Sequence, residues 1–177
     1  MNPTVKKIAI NFGLLIAAIS IAYSLMAYVS GPEMMTNWWA GLVMIFVSIG
    51  LTVYAVSKVR GEMGGFINFK DAFSTYFLTM FIATAISTAF GILLFNVIDP
   101  GYAEEVRQLT MDKALEMMEK FGTPEEAIEK AMTDMESQNQ FSPVGQLKSF
   151  MTTLMLGAIV GLIVAAIMKK KNPELEG

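Results

Sequence analysis

Four stretches of this chain are apolar, uncharged and long enough to cross a lipid bilayer: residues 8–29, about 38–57, about 72–98 and about 149–168. Crossing a hydrocarbon core of about 30 Å takes about 20 helical residues. The third stretch runs for 27 residues without a charge, enough to tilt or to project beyond the bilayer. In lipid the backbone must satisfy its own hydrogen bonds, so only helices and closed barrels can span. The in–out alternation of a barrel strand is absent. The expected fold is therefore all-α: an integral membrane four-helix bundle, residues 1–177, with an extramembrane helical hairpin over 99–148 between spans three and four.

Composition supports this. The hydrophobic fraction is 54% and the charged fraction 16%, against about 45–50% and about 25% in soluble chains. The net charge of −3 hides a segregation, because the charges crowd between the spans. The chain holds no Cys and no His, which removes thiol nucleophiles, disulfides, Cys/His metal sites and imidazole acid–base chemistry. Lys6 and Lys7 before an apolar run resemble a signal-peptide start, but 22 uncharged residues follow, more than the usual core of about 7–15. A retained first helix is expected.

Lys and Arg near the span ends set the orientation. Lys6 and Lys7 precede the first span, Lys58, Arg60 and Lys70 separate the second and third, and Lys169, Lys170 and Lys171 follow the fourth. The turn between spans one and two has only Glu33. Both termini and the middle loop are thus expected in the cytoplasm, with the 30–37 turn and the 99–148 segment outside. That segment has eleven acidic and five basic residues, so nothing in it opposes the assignment. Trp38 and Trp39 then anchor at the outer interface.

The outer segment reads as two amphipathic helices. Asp99-Pro100 is a start signal, an Asp cap with Pro at the first helical position. That helix runs to about Phe121, and Gly122 is a natural stop. Thr123-Pro124-Glu125-Glu126 reads as a capping box opening the second helix. Ile128, Ala131, Met132 and Met135 form one apolar face, and Met111, Leu115 and Met118 the core of the other. Ser142-Pro143 is expected to cap a helix that merges into the fourth span. At the other end Asn68, with Asp71 three residues on, is expected to cap the third span.

Two short motifs carry a resemblance. Gly65-Phe66-Ile67-Asn68-Phe69-Lys70-Asp71-Ala72-Phe73 precedes the third span, and Asn96-Val97-Ile98-Asp99-Pro100-Gly101-Tyr102 ends it. With four spans in this order, the chain resembles the bacterial membrane family catalogued as domain of unknown function 4199, over nearly its whole length. The resemblance implies a small inner-membrane protein of Gram-negative bacteria. It implies no activity and carries over no catalytic residue.

No reactive constellation emerges. The spans hold no ionisable acid or base of the kind that marks ion pathways, and Thr84, Ser87 and Thr88 are assigned to helix–helix hydrogen bonding, with a hydrated path as the alternative. Gly157-x-x-x-Gly161, extended by Ala165, and Ala83, Ser87 and Gly91 at the same spacing are small-residue ridges that let helices approach closely. They serve packing within the bundle or, alternatively, a homodimer or partner seam. The acidic residues Glu104–Glu105, Asp112–Glu116–Glu119 and Glu125–Glu126–Glu129 interleave with basic ones and are read as solvated faces. The hairpin methionines lack His or Cys partners and are read as apolar filling or docking surface rather than a Cu(I) site. No catalytic residue, metal or cofactor is expected, and no P-loop or nucleic-acid motif occurs.

The expected function is a non-enzymatic membrane subunit or accessory protein. It would contact the lipid bilayer and a membrane or periplasmic protein, or a second copy, through a hairpin seam of Met111, Leu115, Met118, Ile128, Met132 and Met135. Two alternatives stay open: a small transporter or channel, and a lipid-modifying enzyme using Asp99, Tyr102 or interfacial carboxylates.

Overall fold

A computed structural model describes residues 2–170. The described chain comprises helix α1 (Pro3–Ser30), the short α2 (Pro32–Met35), α3 (Trp38–Glu62), α4 (Phe69–Leu93) continuing as a π-helical turn (Leu94–Ile98), α5 (Pro100–Lys120), α6 (Glu125–Ser137) and α7 (Pro143–Met168). Four helical stretches, Pro3–Ser30, Trp38–Glu62, Phe69–Ile98 and Pro143–Met168, are long and apolar enough to cross a membrane. Their most apolar windows are only 11–28% buried within the chain. Side chains such as Phe46, Met155 and Ile167 stand outward, a surface that lipid rather than water must cover. The molecule is an all-α membrane bundle.

The helices exceed the apolar stretches that mark them. The first starts at Pro3 rather than at residue 8, because Asn2 caps it by accepting from Thr4 N at 2.9 Å. The second continues from residue 57 to Glu62, and the third starts at Phe69 rather than 72. The fourth starts at Pro143, six residues before the apolar stretch, on a Ser142 cap that accepts from Gly145 N at 3.0 Å. Hydropathy marks the membrane-facing length, whereas caps mark the helix. Three further departures concern turns. The 30–37 turn contains the single-turn helix α2, begun by Pro32. The expected capping box at Thr123–Glu126 does not form: Pro124 stands at the cap position in extended conformation and no side chain bonds there. The preceding Gly122, at φ 67°, has already turned the chain. The third span also ends in a π-helical turn that hydropathy could not reveal. Lys171 of the terminal lysine run lies outside the described residues.

Chain direction alternates along the four spans, so α1 and α4 run parallel, and α4 is the shared partner. It packs most extensively against α1 and α7, and also touches α3. Small residues make this possible. Ala9, Gly13 and Ala17 of α1 are all buried, and a Cβ on Gly13 would fall 2.8 Å from Ile82 Cβ and 3.0 Å from the Thr79 carbonyl oxygen. On α7, Gly157 lies on Met80, Gly161 on Tyr76 and Phe73, and Ala165 is fully buried. Without a hydrophobic force between helices in lipid, such close approach supplies the attraction.

A buried apolar cluster lies at the end that carries the α3–α4 loop. Val5, Ile8, Ala55, Val56, Val59, Ile67, Ala72, Tyr76 and Ala165 form one cluster. There Asn68 caps α4, accepting from Asp71 N at 2.8 Å and donating its amide to the Asp71 carboxylate at 2.7 Å. Ile67 and Lys170 exchange both backbone bonds, Ile67 N to Lys170 O at 3.0 Å and Lys170 N to Ile67 O at 2.8 Å. Lys170 also stands over the Phe66 ring at 5.5 Å. The first of the two sequence motifs is therefore a clasp joining the start of α4 to the end of α7.

A methyl group at position 161 would sit 2.7 Å from Tyr76 Cδ1, and that ring is 2% exposed, with little room to yield. Gly161→Ala is expected to lower stability in detergent by about 1–3 kcal/mol. Gly157→Ala meets the flexible end of Met80, which can swing aside, and is expected to cost only a fraction of that. Thermal unfolding of both variants in matched micelles reads the difference; equal shifts would contradict the packing of this ridge on Tyr76.

Candidate functional site

The second motif occupies the end of the bundle that carries the hairpin, and its polar groups reach across the molecule. The π-helical turn closes with Asp99 N bonding Leu94 O at 2.9 Å. Within it, the Asn96 amide donates both to Ile92 O at 3.1 Å and to Phe141 O at 3.0 Å, fixing the segment that returns from the hairpin. The Asp99 carboxylate caps α5 by accepting from Tyr102 N at 2.9 Å, and its other oxygen accepts from the Tyr28 hydroxyl at 2.9 Å. The Tyr102 hydroxyl in turn donates to Ala27 O at 3.2 Å. The Tyr28 and Tyr102 rings meet edge to face at 4.8 Å, and Phe95 packs on both Tyr102 and Phe141. The Tyr102 N–H, and after it the Tyr28 hydroxyl, hold the Asp99 carboxyl below the ordinary carboxylate range. Every oxygen of that carboxylate has a donor, so the arrangement works as a joint between α1, α4 and α5. It binds Asp99 and Tyr102, the two residues considered for lipid chemistry, to structural partners.

Beyond this joint α5 still meets the α2 turn, where Lys113 Nζ donates to the Thr36 hydroxyl at 2.6 Å, but little of the hairpin is buried. The buried residues of α5 are Tyr102, Ala103 and Val106, all in its first turns, and α6 has none. The six residues of the expected seam, Met111, Leu115, Met118, Ile128, Met132 and Met135, are all only partly buried. Near the tip, Met117 is 52% and Phe121 83% exposed. Met111 and Met135 share a cleft of about 740 Å³ that separates the hairpin from the first turns of α7, with Arg107, Asp134 and Lys148 at its walls. Of the acidic groups, Glu104 pairs with Arg107 at 3.0 Å and Glu116 with Lys120 at 2.7 Å. The hydrogen bonds from Arg107 and from Lys120 draw the two carboxyls down from their ordinary range. Among the described residues no group of three or more His, Cys, Asp or Glu is placed to hold a metal.

The packing residues lie elsewhere, within the spans. Gly157, Gly161 and Ala165 face α4, Ala83 is buried, Ser87 is half-buried, and Gly91 meets the Gln146 side chain from α7. Sequence reasoning marked Asp99 as a cap but missed its Tyr28 partner, 71 positions away. It also missed the Asn96–Phe141 and Tyr102–Ala27 bonds; the one available signal was the motif itself, polar and aromatic residues clustered where a span ends.

Asp99→Ala removes both the cap and the acceptor for Tyr28. A fall of a few degrees in the thermal midpoint is expected at neutral pH, with Asp99→Asn falling between wild type and Asp99→Ala, because its one amide oxygen can keep the Tyr102 cap while its NH2 cannot accept from Tyr28. The native carboxyl titrates below the unfolded one, so its contribution is complete above about pH 4 and is lost as pH falls through the lowered native value. The deficit of Asp99→Ala should therefore shrink in unfolding measurements between pH 7 and pH 3. A deficit unchanged at pH 3 would show that the charged form is not what Tyr28 and Tyr102 hold.

No match is found among curated proteins or among solved structures. A family model does match, over residues 11–170, which takes in both motifs, the hairpin, the last three spans and all but the first turns of α1. The chain belongs to the family described as "Protein of unknown function (DUF4199)".

Proposed function

We propose that this protein is a non-enzymatic membrane subunit or accessory protein that docks a protein partner through the α5–α6 hairpin. The observation that carries the reading is a hairpin fixed at its base and only partly covered beyond it. Hydrogen bonds through Asn96, Asp99 and Tyr102 hold the base, while α6 buries none of its residues despite the apolar stripe of Ile128, Met132 and Met135. The exposed Met117 and Phe121 extend that apolar surface to the tip. Methionine-rich, half-covered faces of this kind adapt to protein surfaces. A partner that packs on the stripe would find it already oriented, so little ordering cost opposes association.

The small-residue ridges on α1 and α7 are engaged with α4, which favours the hairpin over the spans as the docking element. The distribution of Lys and Arg supports both termini in the cytoplasm and the hairpin on the other face of the membrane. The resemblance to a bacterial inner-membrane family supports a periplasmic location for the hairpin. The partner is then a membrane or periplasmic protein, or a second copy of this chain.

A photo-crosslinking residue at position 117, 121 or 132, activated in native membranes and followed by affinity purification and mass spectrometry, tests the reading. Crosslinking to one stoichiometric protein is expected from the hairpin positions and not from position 46 on the lipid-facing side of α3. Crosslinks confined to lipid, or a complex that survives Met117→Glu with Phe121→Glu unchanged, would sink it.

A further inference from the structure

A second cleft, of about 500 Å³, lies under the hairpin between α3 and α7. Its apolar wall is built by Trp38, Phe95, Val106 and Phe141, and Gly41 opens it further down α3. Lys113 of α5 forms its roof, with Thr110 beside it, and Gln146 and Ser149 of α7 form the far side. The size lies within the ordinary range for a small-molecule site, about 300–1,000 Å³.

Three observations point to one class of ligand. The cleft straddles the boundary at which the apolar run of α3 begins, with Trp38 57% exposed at its edge. It therefore meets both hydrocarbon and headgroups. Among the described residues no Asp or Glu lines it, although residues 99–148 hold eleven acidic residues against five basic ones. Its one cation among the described residues is Lys113, whose Nζ donates to the Thr36 hydroxyl at 2.6 Å and forms no ion pair with a described carboxylate, whereas Arg107 and Lys120 on the same helix each form an ion pair. Glu116, one turn along, turns to Lys120. An ammonium with the Asn37 and Gln140 side-chain amides in the same lining suits a phosphate, and the apolar wall below suits acyl chains.

We propose that this cleft holds the phosphate of an anionic glycerophospholipid beneath Lys113, with the acyl chains descending between α3 and α7. Those two helices touch only sparsely, which leaves the descent open to the bilayer. The site is separate from the apolar stripe of the hairpin, so it stands or falls independently of partner docking.

The test uses the full-length protein reconstituted in bilayer discs of phosphatidylcholine with phosphatidylglycerol, then extracted into detergent, with retained lipid counted by native mass spectrometry. Phosphatidylglycerol should be retained in preference to phosphatidylcholine. Lys113→Gln should lower that retention about fivefold, Lys113→Arg should preserve it, and Lys130→Gln, which alters a hairpin cation outside the cleft, should leave it unchanged. A side chain at position 41 would extend into open space, since its Cβ meets nothing within 4 Å. Gly41→Leu should therefore exclude lipid without lowering the thermal midpoint, which keeps the test informative if Lys113→Gln unfolds. Equal retention of the two lipids would overturn the proposal, as would matching losses in Lys113→Gln and Lys130→Gln. Displacement of the lipid by millimolar inorganic phosphate, or occupation of the cleft by a protein segment in crosslinking, would overturn it too.

Discussion

The structure depends on helix α4 being approached closely from two sides. Gly13 of α1 and Gly161 of α7 lack side chains where Thr79, Ile82 and Tyr76 need the space. In water the same helices would be driven together by burial of apolar area. In lipid the surroundings are as apolar as the interface, so contact and shape must supply the attraction. That explains why the packed cluster is built of small and β-branched residues such as Val5, Ala55, Val56, Val59 and Ala165, while large apolar side chains face outward. Thr79 is part of this economy of space: its hydroxyl is buried without a partner, at the level where Gly13 brings α1 onto α4.

The two ends of α4 are held by different means. At the α3–α4 loop, the clasp adds backbone bonds between Ile67 and Lys170 to an apolar cluster that already excludes solvent. At the hairpin end, polar and aromatic contacts take over, and side chains rather than backbone pairs make the long-range connections: Tyr28 to Asp99, Tyr102 to Ala27, Asn96 to Phe141. A membrane bundle can hold an extramembrane element in this way because each bond falls at or near a helix end, on a cap or on a carbonyl that can accept a second donor. The hairpin then needs little apolar burial of its own to be held at its base.

What could be read in the sequence follows the range of the interaction. The four spans, the Asn68, Asp99 and Ser142 caps and the Gly122 stop are set by neighbours within a few residues, and the structure has them. The Pro124 start differs because two local signals compete there, a left-handed glycine and a proline, and together they displace the Thr123 cap. The central role of α4 was not legible, since a small-residue spacing shows that a helix can be approached but not by which neighbour. Nor was the Lys113–Thr36 bond, which joins two polar residues 77 positions apart.

The π-helical turn at Leu94–Ile98 acts as a compass bearing for everything beyond it. A π turn accommodates one residue more than an α turn at the same place, and one residue of helix corresponds to about 100° of rotation. Removing that extra residue would let α4 run on as a regular helix, yet it would swing Asp99 and the whole hairpin by about 100° around the axis of α4. Tyr28 and Phe141 would then face the wrong side of α5. The heading of the hairpin is thus stored as a single residue of surplus length, in a segment whose composition is as apolar as the rest of the span.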